Sequence, residues 1–298
     1  MRKFTTRSGS IISPIGLGTY PIQGEELCKV VLEALQIGYR LIDTSDDYRG
    51  ETGIGLAVDR LSEIGMTRED IFLLTKITDN DSYDDEPLTG IFFNRNSKFM
   101  TRHSVEEIVR EKVNKSLYEM HTDYLDALLV HQPYPDYYIE IWKVMTELKK
   151  EGLVRYIGVS NFHECHIESL IKATGVCPEI NESYASPVGT KQKLIDYCEK
   201  KDCQFITYSP LMDVVTGRIS KENLLPIMKK YEKSLAQIVI RWNVDRGCIP
   251  LPKSKKTNRM AENFDVLDFQ LTSEEIEMIN GLNYDYQYLV ESLICAGI

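Results

Sequence analysis

The feature that most constrains this chain is an alternation of short apolar runs with helical patterns, repeated eight times. Strand-like runs fall at 15–19, 40–43, 71–75, 124–130, 154–159, 179–181, 204–208 and 248–251. Between and after them, apolar spacing of three and four residues predicts helices at 25–36, 51–64, 105–120, 137–150, 164–173, 191–201, 224–231 and 235–245. Shorter helices are expected at 259–264 and 273–281. Strands alternating with helices imply a parallel sheet with crossovers. Eight units in roughly 250 residues is the size of a closed (β/α)8 TIM barrel. A doubly wound open sheet competes, but it usually carries a Gly-rich first turn. Here Gly16, Leu17, Gly18 and Thr19 supply only two glycines in register. Residues 3–13 read as an N-terminal β-hairpin around Gly9, placed to plug one end. No composition shift marks a second domain, so 1–298 is expected to be one barrel domain.

One segment breaks the rhythm. The stretch between Lys76 and the helix at Val105 far exceeds the ~2–6 residues of an ordinary βα loop. Residues 79–103 begin acidic and end basic and aromatic, with Phe92, Phe93 and Phe99. A purely solvated loop rarely carries such rings, so the insertion is expected to act as a lid.

Composition narrows the partners. A formal charge of −10 argues against nucleic acid or an anionic membrane. No apolar run reaches the ~20 residues of a membrane span, and the N-terminus lacks an apolar signal region. Seven scattered cysteines, an odd number, argue against a disulfide scaffold and for a reducing cytoplasm. His163, Cys165, His166 and Cys177 match no common zinc spacing, so a packing role is expected and no metal. Cys198 and Cys203 read as inert thiols.

In a parallel barrel the C-terminal strand ends share one face, and that face carries the chemistry. Asp43 and Tyr48 follow the second strand, Lys76 the third and His131 the fourth. Each alone has a bland reading: a helix cap, a solvated amine, a satisfied imidazole. Together they suit proton donation to a carbonyl oxygen. A free phenol, with a pKa of about 10, is a poor acid at neutral pH. A nearby ammonium is expected to lower it, and Asp43 to keep Lys76 charged. His131 would orient the substrate oxygen. None of the four supplies a hydride, so a cofactor is required.

These motifs resemble the aldo-keto reductases over nearly the whole chain. The matching positions are Gly16–Thr19; Asp43, Thr44, Ser45, Tyr48 and Glu51; Thr75 and Lys76; Leu128–His131 with Pro133; Gly158–Phe162; Tyr208–Leu211; and Leu251–Ser254 followed by Arg259, Glu262 and Asn263. The resemblance implies an NADPH-dependent carbonyl reductase with a catalytic tetrad of Asp43, Tyr48, Lys76 and His131. It places Gly18, Thr19 and Asp43 beside the cofactor, with Ser160, Asn161 and Glu182 at the nicotinamide carboxamide. Tyr208 would stack on the ring, and Ser209 and Leu211 would flank the pyrophosphate. Lys253, Ser254 and Arg259 would hold the 2′-phosphate of NADP, with Glu262 and Asn263 near adenine. A small-molecule carbonyl substrate would meet Tyr20, Tyr48, Thr78, His131 and Gln132, and a monomer is expected.

Departures from the pattern matter. The family usually has Gln where Glu182 stands, and a charged Glu there would accept but not donate, beside the positive nicotinamide of NADP⁺. A changed preference between oxidised and reduced cofactor is the expectation. Many relatives have Trp at the positions of Tyr20, Thr78 and Gln132, so this pocket is expected to be more polar. Trp142 and Trp242 fall on helices and read as packing residues. The chain ends soon after Tyr288, and the 79–103 insertion is expected to replace a long C-terminal loop. Two other functions fit the same residues. One is a non-catalytic NADP(H)-binding regulatory protein, and the other is a polyol or sugar dehydrogenase running in the oxidative direction.

Overall fold

In the computed structural model, which describes residues 4–78, 104–134 and 137–288, eight parallel strands form one sheet in chain order. They are β1 (Leu17–Gly18), β2 (Leu41–Asp43), β3 (Phe72–Ile77), β4 (Leu125–Val130), β5 (Val154–Ser160), β6 (Ile180–Tyr184), β7 (Gln204–Tyr208) and β8 (Ile249–Leu251). The ends of the sheet meet. The N–H of Gly16 donates to the carbonyl of Pro250 at 3.0 Å, and that of Gly18 to Pro252 at 3.3 Å. The expected (β/α)8 barrel is the fold.

Strand alternation divides the side chains into two layers. Leu41, Phe72, Leu74, Leu129, Ile180, Ile206, Ile249 and Leu251 fill the interior. Their neighbours Ile42, Leu73, Leu128, Ile157 and Phe205 face the helices. Both faces are covered, which is why the strands read as continuous apolar runs. The N-terminal hairpin is slight, a single antiparallel bridge between Thr5 and Ile11. Its purpose is clear from Phe4, which is 1% exposed and packs edge-on to Tyr156 at 4.8 Å and near Phe72 at 5.7 Å. Phe72 opens β3 and Tyr156 lies early in β5, so the hairpin closes the N-terminal mouth of the barrel.

The helices are α1 (Gly24–Ile37), α2 (Glu51–Asp59), α3 (Val105–Glu119), α4 (Tyr138–Lys150), α5 (Glu164–Thr174), α6 (Gln192–Lys200), α7 (Met212–Val215), α8 (Lys221–Tyr231), α9 (Leu235–Asp245), α10 (Thr257–Phe264) and α11 (Ser273–Asn280). Three differences from expectation have local causes. The expected helix at 51–64 breaks into α2 and a 3₁₀ turn at Leu61–Ile64, stopped by Gly65 at φ 71°. Helix α7, four residues long, is too short to show a period. Strand β6 runs on to Tyr184 because Glu182 and Ser183 are buried there despite their polarity. Trp142 and Trp242 are fully buried, as expected, and donate to Val176 O at 3.3 Å and Asn280 Oδ1 at 3.0 Å. The 79–103 insertion lies outside the described residues. Among the described residues no helix is long and apolar enough to cross a membrane.

Gly55, inside α2, allows a close helix approach. A Cβ there would lie 2.2 Å from the backbone oxygen of Glu119 at the end of α3. Gly55→Ala is therefore expected to lower stability by about 1–3 kcal/mol, as overpacking does. Helix propensity alone predicts a gain of about 1 kcal/mol. A denaturant midpoint at or above that of the wild type would rule out the close approach.

Candidate active site

The site follows from the inner register of the strands. Each candidate stands two residues beyond an inward apolar side chain: Asp43 after Leu41, Lys76 after Leu74, His131 after Leu129, Glu182 after Ile180, Tyr208 after Ile206 and Lys253 after Leu251. A period of two keeps them on the same face, so a polar layer caps the apolar one at the C-terminal mouth.

Lys76 is the centre of that layer and is 1% exposed. Its Nζ is in direct contact with Asp43 Oδ1, donates to Thr44 O at 2.9 Å, and lies 3.2 Å from Glu182 Oε1. Burial works to strip the proton from Lys76, but Asp43 and Glu182 outweigh it and hold the amine charged. Burial pushes Asp43 upward and Lys76 pulls it back. Glu182 is pushed up to about 8, first by burial and then by the charge of Asp43. That upward push runs against the expectation of a charged Glu182 that accepts only, since a carboxyl that takes up a proton carries an O–H donor.

Tyr48 lies in the loop between β2 and α2, its N–H on Ser45 O at 3.1 Å. The ammonium of Lys76 is 5.3 Å from the centre of its ring, and the His131 ring is 5.8 Å away, edge-on. Tyr20 leans on Tyr48 at 5.0 Å. The expectation that Lys76 lowers the phenol pKa does not hold here. Burial, then Asp43, Asp47 and Glu182, raise it well above its ordinary value. The charge of Lys76 is already matched by Asp43, so the phenol faces mainly acids. Tyr48 is thus a protonated phenol across the neutral range. His131 is pushed down to about 3 by burial and by Lys76, so it is a neutral imidazole. Its Nδ1 is 3.1 Å from Ser45 Oγ.

The residues assigned to the cofactor surround the same mouth. Asn161 is held at φ 63°, with its amide donating to His131 O at 3.2 Å and Ser160 Oγ at 3.1 Å. The Tyr208 hydroxyl donates to Asn161 Oδ1 at 2.9 Å. Ser209, also at positive φ, turns the chain toward the partly buried Leu211. Thr19 is buried and donates to Asp43 O at 2.8 Å, and a Cβ on Gly18 would meet Leu251 O at 3.0 Å. Farther out, Ser254 accepts from Lys256 N at 3.0 Å at the start of α10, which carries Arg259, Glu262 and the buried Asn263. Among the described residues, Lys253 and Arg259 are exposed and make no ion pair, whereas Lys255 is held by Glu26 at 2.6 Å.

Of the substrate candidates, Gln132 is buried beside His131, but the Thr78 hydroxyl is taken by Asp46 Oδ1 at 2.7 Å. Asp46 in turn meets Lys112 of α3 at 2.9 Å. Sequence reasoning missed Asp47, whose Oδ1 is buried without a hydrogen-bond partner, 3.7 Å from His131 Nδ1. Asp47 lies between β2 and α2, on neither a strand nor a helix, so it gives no periodic signal. It also missed the return of the chain after α11. Tyr284 and Tyr286 anchor by their N–H groups on Val188 O, and Tyr288 stacks on Tyr184 at 5.2 Å and approaches Tyr208 at 6.3 Å. The tyrosines at 284, 286 and 288 recur every second residue, and that spacing was the available signal. His163 N donates to His166 Nδ1 at 3.1 Å at the start of α5, a local cap, in line with the packing role expected for that cluster.

A closed parallel barrel with a buried charged layer and a phenol at its C-terminal mouth defines an enzyme of the (β/α)8 class. The family model described as "Aldo/keto reductase family" matches residues 14–284. The methylglyoxal reductase DkgA of Escherichia coli K12 is 35% identical over 93% of this chain and 92% of its own length. The glyoxal reductase of Bacillus subtilis is 34% identical over 91% and 88%. A Bombyx mori aldo-keto reductase, solved in complex with NADP, superposes with a TM-score of 0.78 at 29% identity, covering 96% of this chain and 94% of its own. This chain belongs to the aldo/keto reductase family, and as a member it is an NADP-dependent oxidoreductase of carbonyl compounds.

Proposed function

We propose that the protein reduces small, polar aldehydes and ketones, with Tyr48 giving the proton to the carbonyl oxygen. The observation that carries this reading is the buried Asp43–Lys76 pair with the Tyr48 and His131 rings gathered beside it. The residues present fit NADP(H). Glu182 Oε2, buried and without a partner, suits a carboxamide N–H. Exposed Lys253 and Arg259, free of ion pairs among the described residues, suit a phosphate. Ser160, Asn161 and Glu182 would hold the carboxamide, and the face of Tyr208 suits a flat ring. Bound NADPH supplies the hydride. The protein's part is to hold the carbonyl between Tyr48 and His131 and to deliver a proton. His131 Nδ1 is engaged with Ser45 Oγ at 3.1 Å, which leaves Nε2 for the substrate oxygen. Lys76 offsets negative charge as the phenol gives up its proton.

The small, polar substrate follows from the lining. Asp47 and Gln132 stand beside His131, polar side chains that suit a small polar substrate better than a bulky apolar ring. The names of the bacterial relatives point the same way. NADPH oxidation is expected with methylglyoxal and glyoxal, at a kcat/KM at least roughly tenfold above that for a bulky aromatic aldehyde. Absence of turnover with every carbonyl tried would overturn the proposal and leave a cofactor-binding protein. Faster oxidation of polyols by NADP⁺ than reduction of their carbonyls would reverse the direction.

A further inference from the structure

Glu182 stands where the family usually has Gln, and the resemblance does not account for its charge-bearing contact with Lys76. It stands in the same inward layer as Asp43 and Lys76. Its Oε1 lies 3.2 Å from Lys76 Nζ, and Asp43 holds the same ammonium in direct contact. One cation therefore serves two carboxyl groups, 4% and 1% exposed.

We propose that Glu182 carries a proton at neutral pH and that this proton, acting through Lys76, sets how readily Tyr48 gives up its own. The proposal rests on the reading of Tyr48 as proton donor. Two ionised carboxylates on one buried ammonium leave a net negative charge in a dry site, and one proton relieves it. Asp43 is in contact with Lys76 and stays ionised, while Glu182 takes the proton. Burial and the charge of Asp43 support that order. The ionisable groups around the cluster are Asp43 of β2, Lys76 of β3, Tyr48 and Asp47 of the loop after β2, His131 after β4 and Tyr208 of β7. His131 is neutral throughout the range in which Glu182 titrates, so it does not mask the effect. With Glu182 neutral, the charges of Asp43 and Lys76 cancel. When Glu182 ionises, Tyr48 faces one more negative charge, holds its proton more tightly and becomes a weaker acid. A neutral Glu also offers one donor and one acceptor, as the amide of Gln does. Glu182 thus acts on Tyr48 through the charge it shares with Lys76, in addition to its assigned place at the carboxamide.

Two readouts test this. The first needs no turnover. The infrared difference spectrum of cofactor-free wild type minus Glu182→Gln is expected to show a carboxylic-acid carbonyl band at pH 7 that titrates away near about pH 8. A carboxylate band at pH 7 would overturn the proposal. The second is the pH profile of kcat for reduction, each protein normalised to its own rate at acid pH. The wild type is expected to fall roughly tenfold through a limb near pH 8, and Glu182→Gln to lack that limb. Glu51 is also pushed up to about 8, by burial, but it accepts from the Thr75 and Ser116 hydroxyls. A limb that survives Glu182→Gln and disappears in Glu51→Gln would overturn the proposal. The reading of Tyr48 itself fails separately, through an active Tyr48→Phe variant.

Discussion

Tyr48→Phe is expected to lower kcat for carbonyl reduction by roughly 10²–10⁴-fold, the usual contribution of a positioned general acid. The variant loses one oxygen and keeps the ring. The ring contacts with Tyr20 and His131 and the approach of Lys76 are therefore retained, and so is the shape of the pocket. NADPH affinity, read by quenching of protein fluorescence, is expected to change by less than about threefold, because Tyr48 is not among the residues assigned to the cofactor. Activity close to wild type with that affinity intact would exclude Tyr48 as the proton donor. Equal losses of affinity and rate would mean that the phenol serves binding.

Lys76→Met is expected to affect stability as well as activity. It leaves Asp43 and Glu182 buried without their cation, and removing one partner of a buried pair typically costs about 3–5 kcal/mol. The loss depends on pH. Burial already pushes Asp43 upward, and without Lys76 only its hydrogen bond with Glu182 still pulls it back. The folded variant then holds a proton that the unfolded chain releases near pH ~3.9. Such a group stabilises most below the unfolded pKa, and that stability is lost as pH rises toward the folded value. The deficit against wild type, measured by guanidinium midpoints, is therefore expected to be larger near pH ~8 than near pH ~5. An equal deficit at both pH values would show that Asp43 is not held by Lys76.

Much of this arrangement is legible in the sequence because a barrel strand has a period of two. Leu41 and Asp43, Leu74 and Lys76, Leu129 and His131 are each an inward apolar residue followed by an inward polar one. Once the eight strands are recognised, that spacing gathers the tetrad strands at one mouth. Tyr48 was legible for a different reason, as a phenol in the short loop between β2 and α2. Asp47 was not, since loop residues have no period to reveal where they point. The tail at Tyr284–Tyr288 was not, because its contacts with Val188 and Tyr184 join residues far apart in the chain.

The sequence by itself determined the barrel, the strand ends that form the site and the residue types gathered there. These follow from local periodicity and from chain order in a parallel sheet. Only the tertiary structure decided which way the proton affinities of those residues shift. Lys76 was expected to lower Tyr48, yet burial and three nearby acids raise it. Glu182 was expected to be charged, yet burial and the charge of Asp43 on the shared ammonium push its carboxyl upward. Proton affinity depends on burial and on distances of a few ångströms between strands that are remote in sequence, and neither quantity exists until the barrel closes.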